Sequence, residues 1–484
     1  MFFIVLVRYN RYMAKTFFFY DLETSGLSAR SDRIMQFAGI RTDMNFELIG
    51  EPVNVLVALN DDTIPSPEAL IVTGITPQKT VEEGYSEAEF SKRLTEEWFT
   101  PDTIVVGFNS VRFDDEFIRH LLWRNFHDPY EWSWKEGRSR WDLLDVVRMT
   151  RALRPDGIEW PVDDAGEPTN RLELITKANG ISHNNAHDAL SDVEALIDVA
   201  RLIKKSQPQL FEYLLAMRDK KEVQKLVNLD DKKPFVYTSG RYDKQYAKTT
   251  VAFPLTLAPH GNVLVYDLRY DPTPFVNLSQ KDLADKIFAT WEERKKEDFI
   301  PLPVKQLQYN RCPAVAPMGV LGQDEGWKRI ELTEDIVKKH MDTLLAHPDF
   351  AERLRSLYET KRERPLADEP EAKLYDGFLT DQDRLRVEAV RNADERALVD
   401  FHPEFQDERL PELLLHYKAR SFPRALSEDE MAAWEDWRAM RLQKQLPNAV
   451  LAMKRISTQK LSEHQQFLLA EIQLWIESVM PADD

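Results

Sequence analysis

Asp21 and Glu23 stand two apart at the end of an apolar run, Thr16-Phe17-Phe18-Phe19-Tyr20. The run reads as a buried strand, and side chains two apart on a strand share a face. Neighbouring carboxylates repel, and burying them is costly unless a cation neutralises them. Hard oxygen ligands at one strand end suit Mg²⁺ or Mn²⁺. Taken alone, the pair is read more simply as an exposed, acidic strand end.

Two later stretches add carboxylates. Ile104-Val105-Val106-Gly107-Phe108-Asn109 reads as a second buried strand, with Gly107 for a tight exit and Asn109 as a helix cap. Phe113, Phe117 and Leu121 then share one helical face, and Asp114 lies beside it near the helix start. In His187-Asp188-Ala189-Leu190-Ser191-Asp192-Val193 a helical pattern begins at Ala189 and runs through Leu202. It puts Asp192 in the first turns and His187 in the preceding loop. Singly, Asp192 reads as an N-terminal helix acid and His187 as a surface or capping histidine.

The residues also form an ordered set: an acid pair on a strand, an Asp after N-x-x-x-F, then H-x-A-x-x-D. This set resembles the DEDD superfamily of 3′→5′ exonucleases, whose fold is RNase H-like. The resemblance implies that Asp21, Glu23, Asp114 and Asp192 hold two divalent metals, Mg²⁺ with Mn²⁺ able to substitute. Superfamily branches differ in the general base. One has Tyr four residues before the last Asp, where this chain has Asp188. The other has His five residues before it, where this chain has His187, so the chain is similar to the histidine branch. Two such metals clamp the attacking and leaving oxygens at phosphorus, and His187 would take the water's proton. No Ser or Cys nucleophile motif competes.

Longer stretches narrow the resemblance. They are Asn109 to Glu116, Arg124 to Trp134, Ser139-Arg140-Trp141-Asp142-Leu143-Leu144-Asp145, Ala152 to Ile158 and Leu174 to Ile181. They resemble the bacterial exonuclease I family of single-strand-specific DNA exonucleases, densely to about residue 200 and more patchily beyond. The family implies processive 3′→5′ hydrolysis of single-stranded DNA to nucleoside 5′-monophosphates, in DNA repair and recombination. It implies a second partner, single-stranded DNA-binding protein, recognised through its acidic and apolar C-terminal tail. Arg154 in Ala152-Leu153-Arg154-Pro155 is the matching residue for that tail. A 3′→5′ exoribonuclease and an inactive single-strand-binding scaffold are the alternatives. The long additional segments argue against the first, and the intact acids and His187 against the second.

Substrate contacts are expected from Glu23, from Thr24, Ser25 and Gly26, whose backbone can approach a terminal nucleotide closely, and from Arg140 and Lys177. The net charge of −18 is awkward for a DNA binder, so a basic lining must be local. Arg138, Arg148, Arg151 and Arg154 are further candidates for it. Phe126, Tyr130, Trp132, Trp134 and Trp141 crowd one segment, as base-stacking platforms or as a small core beneath an insertion.

The 484 residues call for several domains. The expected architecture is multidomain α/β. An RNase H-like exonuclease domain over 13–203 is followed by an SH3-like β-barrel domain with helical insertions over 204–358. A linker over 359–373 leads to a C-terminal α-helical domain over 374–484. Short strands are expected at Phe235–Thr238, Thr250–Leu257, Asn262–Asp267 and Pro301–Leu307. Residues 1–12 read as a dispensable extension before Met13-Ala14-Lys15. A single cysteine, Cys312, rules out an intrachain disulfide and fits a reducing cytoplasm. No apolar run approaches the ~18 residues of a membrane span, and a monomer is expected.

Overall fold

The computed structural model describes residues 15–183, 188–360 and 367–481. His187 and the extension at 1–12 lie outside the described residues, as does part of the expected linker.

Strand β1 (Thr16–Thr24) is the centre of a five-stranded sheet ordered β3-β2-β1-β4-β5. It runs antiparallel to β2 (Ile34–Thr42), which pairs antiparallel with β3 (Val53–Leu56). On its other side it runs parallel to β4 (Thr103–Gly107), which pairs in parallel with β5 (Ser139–Asp142). The five-residue aromatic run accounts for the buried start of β1. The strand nevertheless continues through Thr24, because β2 supplies ladder partners as far as Ile34.

The alternation along β1 decides what covers each face. Helices α1 (Asp114–Arg124), α2 (Leu143–Leu153), α3 (Leu172–Ala178), α4 (Ala189–Ser206) and α5 (Pro208–Ala216) accompany the sheet. Phe17 and Phe19 pack in one core with Val193, Ile197 and Ala200 of α4. Phe18 and Tyr20 pack in another with Phe117, Ile118 and Leu121 of α1.

Asn109 does not cap α1. Its backbone is left-handed (φ 65°), and its side chain makes no capping bond. Asp142, at the end of β5, accepts from the Asn109 and Val111 amides at 2.9 and 3.2 Å instead. A carboxylate on the adjacent parallel strand thus holds the short 3-10 turn Ser110–Arg112 that leads into α1. The aromatic segment is largely core as well. Phe126, Trp132 and Trp141 are buried, and Trp141 meets Phe211 of α5 edge-on at 5.1 Å. Trp134 is 64% exposed and Tyr130 half-buried, so only these two retain free ring surface.

The second sheet is antiparallel, ordered β10-β6-β7-β8-β9. Its strands are β6 (Phe235–Thr238), β7 (Thr249–Ala258), β8 (Asn262–Asp267), β9 (Val304–Leu307) and β10 (Ala314–Pro317). The expected strands match the first four closely. Strand β10, four residues ending in proline, was too short to read from its pattern. The C-terminal part is helical, including α6 (Leu410–Ser421), α7 (Glu428–Ser457) and α8 (Glu463–Val479). Leu442 of α7 and Ile472 and Trp475 of α8 share a core with Met35, Leu59, Ile64 and Leu70. That core belongs to both the first and the last parts of the chain.

A buried charge network ties the same parts together. Arg33 donates to Glu371 at 2.8 Å, and Arg420 donates to Asp62 at 2.7 Å and to Glu371. Arg441 bonds the Asp62 carbonyl at 3.0 Å, and Arg124 pairs with Glu87 at 2.7 Å. All six charged groups centred on Arg33, Asp62, Glu87, Arg124, Glu371 and Arg420 are nearly inaccessible. Burial alone would raise Asp62 and Glu371, but the arginines hold both below the usual carboxylate range. The chain before Tyr375 is thus no passive linker at its described end: Pro370 and Glu371 are buried. Removing one member of such a set strands a buried charge, which costs about 3–5 kcal/mol. Glu371→Ala is therefore expected to lose about that much in urea unfolding. Glu68→Ala, which breaks an exposed pair with Arg455, should change stability by less than about 1 kcal/mol.

Candidate active site

Asp21 and Glu23 share the parity of Phe17 and Phe19, so they face the side of the sheet that α4 covers. Asp192 stands in the first turn of α4, whose N-cap is Asp188, accepting from the Ser191 amide at 3.1 Å. The geometry follows: Asp21, Glu23 and Asp192 each offer a carboxylate oxygen within 4.8 Å of the others. Asp114 opens α1 on the opposite side, 5% exposed, and interacts electrostatically with Asp21 and Glu23 around the strand end. The register between β1 and β2 slips between Glu23 and Thr24, the irregularity expected where a strand end is re-aimed.

These acids are held against their preferred ionisation. Burial pushes Asp21 well above the usual range, and Asp114 and Asp192 add to it. Burial pushes Glu23 up to about 9, with Asp21 next in effect. Asp114 is raised by burial and then by Asp115. None of the three forms an ion pair with arginine or lysine among the described residues. Asp115, one residue away, contrasts with them. It accepts the Tyr20 hydroxyl at 2.8 Å and pairs with Arg140, so its charge is matched within the protein. A buried, all-oxygen set without its own cation fits hard divalent ions.

Thr24, Ser25 and Gly26 continue from this cluster as a fixed loop. The Ser25 amide donates to the Arg33 carbonyl and the Arg33 amide to Ser25 Oγ, both at 2.8 Å. Thr24 Oγ1 donates to the Gly26 carbonyl at 2.7 Å. A Cβ on Gly26 would fall 2.4 Å from the Asp32 carboxylate, so no larger residue fits there unchanged. Arg33 is the arginine of the buried network, which anchors this loop to the C-terminal helices.

The expected basic contacts divide. Arg140 is 7% exposed and is occupied by Asp115 and by the Asn310 carbonyl at 2.8 Å. Its guanidinium thus helps dock the second sheet's domain. Arg138, Arg148 and Arg151 are likewise engaged, with Glu136, Asp145 and the Pro161 carbonyl. Lys177 is exposed at the end of α3. Arg154 is part-exposed, 3.3 Å from Asp324 and bonded to Gln323 at 2.8 Å. Lining that sequence reasoning did not single out comes from Arg112, Arg241, Lys305 and Arg311. They border a polar cavity of about 270 Å³ between the two sheets' domains. Residues from three distant stretches meet there, so no local motif marked them.

One further group was missed. His183 Nε2 lies 2.5 Å from Asp192 Oδ1. It stands four residues before His187, and the only sequence signal was the presence of a second histidine in the same loop.

Three profiles cover the chain in order: Exonuclease over residues 18–200, Exonuclease I SH3-like domain over 218–360, and Exonuclease I C-terminal domain over 368–479. Exodeoxyribonuclease I of Haemophilus influenzae is 38% identical over 459 residues, 93% of this chain and 97% of that protein. The chain belongs to the exonuclease I family. Among solved structures, exonuclease I of the moderately thermophilic Methylocaldum szegediense matches with TM-score 0.92 and 38% identity. That match covers 97% of this chain and all of the other. The zinc-bound form of an Escherichia coli exonuclease I complex with single-stranded DNA matches with TM-score 0.91 and 35% identity, over 96% of this chain and all of that one. The expected exonuclease domain, SH3-like domain and helical C-terminal domain are all present.

The acid cluster predicts a pH signature. Glu23, at about 9 folded against 4.5 ordinarily, keeps a proton in the folded state that the unfolded chain releases. Its contribution to stability is therefore lost as pH rises from about 4.5 towards 9. In EDTA the melting temperature should fall across that window, and Mg²⁺ should restore it increasingly at higher pH. Asp21→Asn should raise the EDTA melting temperature at pH 8 while removing the Mg²⁺ response. A Mg²⁺ shift retained in Asp21→Asn would contradict the assignment.

Proposed function

We propose that this chain degrades single-stranded DNA processively from the 3′ end, releasing nucleoside 5′-monophosphates. The observation that carries the reading is the convergence of Asp21, Glu23 and Asp192 within 4.8 Å, with Asp114 beside them, in an exonuclease-domain fold. Zinc and single-stranded DNA together in a matching Escherichia coli structure support both the metal and the substrate. The three successive profiles favour DNA over RNA, because the latter two are specific to exonuclease I.

Asp21, Glu23, Asp114 and Asp192 would hold two Mg²⁺ ions, for which Mn²⁺ can substitute. When bound, such ions make a water more acidic and offset the charge on the leaving 3′ oxygen. Thr24, Ser25 and Gly26, rigid through Arg33, position the 3′-terminal nucleotide. His187 takes a proton from the attacking water, whose oxygen bonds to phosphorus as the P–O3′ bond breaks. The 3′ oxygen is protonated as it leaves. The terminal nucleotide departs with its 5′-phosphate. Lys177 and the basic cavity lining would steer the backbone, with the SH3-like and C-terminal domains limiting sideways escape.

The same reading assigns the chain to DNA repair and recombination, as a monomer in the cytoplasm. The single cysteine, Cys312, leaves no intrachain disulfide to form, which suits a reducing compartment. No helix among the described residues is long and apolar enough to cross a membrane. Arg154, partly exposed beside Asp324 and Gln323, would take the acidic C-terminal tail of single-stranded DNA-binding protein.

The test is a gel assay of 5′-labelled and 3′-labelled single-stranded DNA and RNA, with Mg²⁺ or EDTA and an unlabelled trap strand. Ladder-free shortening of 5′-labelled DNA, Mg²⁺-dependent and trap-resistant, is expected. Preferential RNA trimming would overturn the substrate, and EDTA-resistant cleavage the metals. His187→Ala should bind the strand normally but cleave about 10²–10⁴-fold more slowly in single turnover. A loss below tenfold would remove His187 from the base role.

A further inference from the structure

His183 lies in the loop between α3 and α4, with its side chain 4% exposed. Its Nε2 is 2.5 Å from Asp192 Oδ1, and its Nδ1 is 3.2 Å from Thr176 Oγ1 on α3. Thr176 is itself fully buried, and its hydroxyl lies 3.0 Å from the Glu173 carbonyl. The chain Glu173–Thr176–His183–Asp192 thus runs from a rigid helix to the acid cluster. A neutral imidazole donates through one nitrogen and accepts through the other. With Nε2–H facing the carboxylate, Nδ1 accepts the Thr176 hydroxyl proton when that hydroxyl turns to it from the Glu173 carbonyl.

We infer that His183 is a positioning residue for the metal site, clamping one oxygen of Asp192 so that the carboxylate is preset to ligate a divalent cation. The inference rests on the two-metal reading above. The imidazole holds the Asp192 carboxylate where one of its oxygens comes within 4.8 Å of oxygens of Asp21 and Glu23. Asp192 needs such help more than Asp21 or Glu23. Those two are set by the β1 ladder, whereas Asp192 stands in the first turn of a helix that follows a loop. His183 does not duplicate His187. Both of its ring nitrogens have protein partners, which leaves neither for a water. Groups that orient a metal ligand in this way typically contribute about 10–100-fold in metal affinity or activity.

The experiment measures Mn²⁺ binding to the full-length chain without DNA, by electron paramagnetic resonance and calorimetry. Alongside it, single-turnover cleavage is followed against Mg²⁺ concentration. His183→Ala should weaken Mn²⁺ binding about 10–100-fold and move the Mg²⁺ dependence to higher concentration by a similar factor. The rate at saturating Mg²⁺ should be largely recovered. His183→Gln, which keeps an N–H near the Nε2 position, should restore most of the affinity. A purely structural role would lower the melting temperature in EDTA without moving the metal titration. Should the alanine variant fail to fold, Thr176→Val tests the same chain of bonds and should also weaken Mn²⁺ binding, by less. Wild-type Mn²⁺ affinity in His183→Ala, or equal losses in the Ala and Gln variants, would overturn the inference. A wild-type chain that binds no Mn²⁺ would overturn the metal reading and this inference with it.

Discussion

Mutual repulsion among buried carboxylates at the end of β1 governs this molecule. Asp21, Glu23, Asp114 and Asp192 converge from one strand and two helices, with Glu23 and Asp114 buried and Asp21 and Asp192 half-buried. Such an arrangement is unfavourable by itself and becomes favourable only with cations of matching charge. The fold must therefore be strong enough elsewhere to bear it. The aromatic cores on both faces of β1 supply that strength: Phe17 and Phe19 on one side, Phe18 and Tyr20 on the other.

The protein separates acids that are meant to be compensated from acids that are not. Asp114 and Asp115 are adjacent and both buried. Asp115 receives Tyr20 and Arg140, while Asp114 receives only the company of other acids. Asp62 and Glu371, equally buried, are surrounded by arginines. The same chemical group is thus a structural tie in one place and a member of an acid cluster in another. The difference lies in which side chains the tertiary fold delivers. Arg33 connects the two regimes, since its backbone fixes Ser25 while its guanidinium joins the network reaching the C-terminal helices.

The same economy resolves the net charge of −18 for a protein that handles a polyanion. Many arginines that looked available are internal partners, and many acids are matched by them. Basic groups do gather locally: Arg112, Arg241, Lys305 and Arg311 line one cavity at the seam between domains, together with Asp142 and Asp145. Burial pushes the Lys305 amine down to about 7, and its Nζ stacks over Tyr242 at 3.8 Å. A binding surface of this kind depends on the docking of domains rather than on overall composition.

Local patterns determined a great deal. The aromatic run of β1, the parity of Asp21 and Glu23, the helix from Ala189 and four of the five strands of the second sheet were all legible. Each depends on neighbours within a few residues, and strand alternation or helical periodicity records such relations directly. The order of the acids was legible too, because the motifs keep their chain order. Tertiary structure alone decided which charges find partners. Asp142 holding the Asn109 amide, Arg140 turning inward to Asp115, and Arg33 meeting Glu371 some 338 residues away are all long-range contacts. His183 reaching Asp192 is only nine residues distant, yet the sequence between it and Ala189 carries no helical or strand period from which side-chain directions can be read.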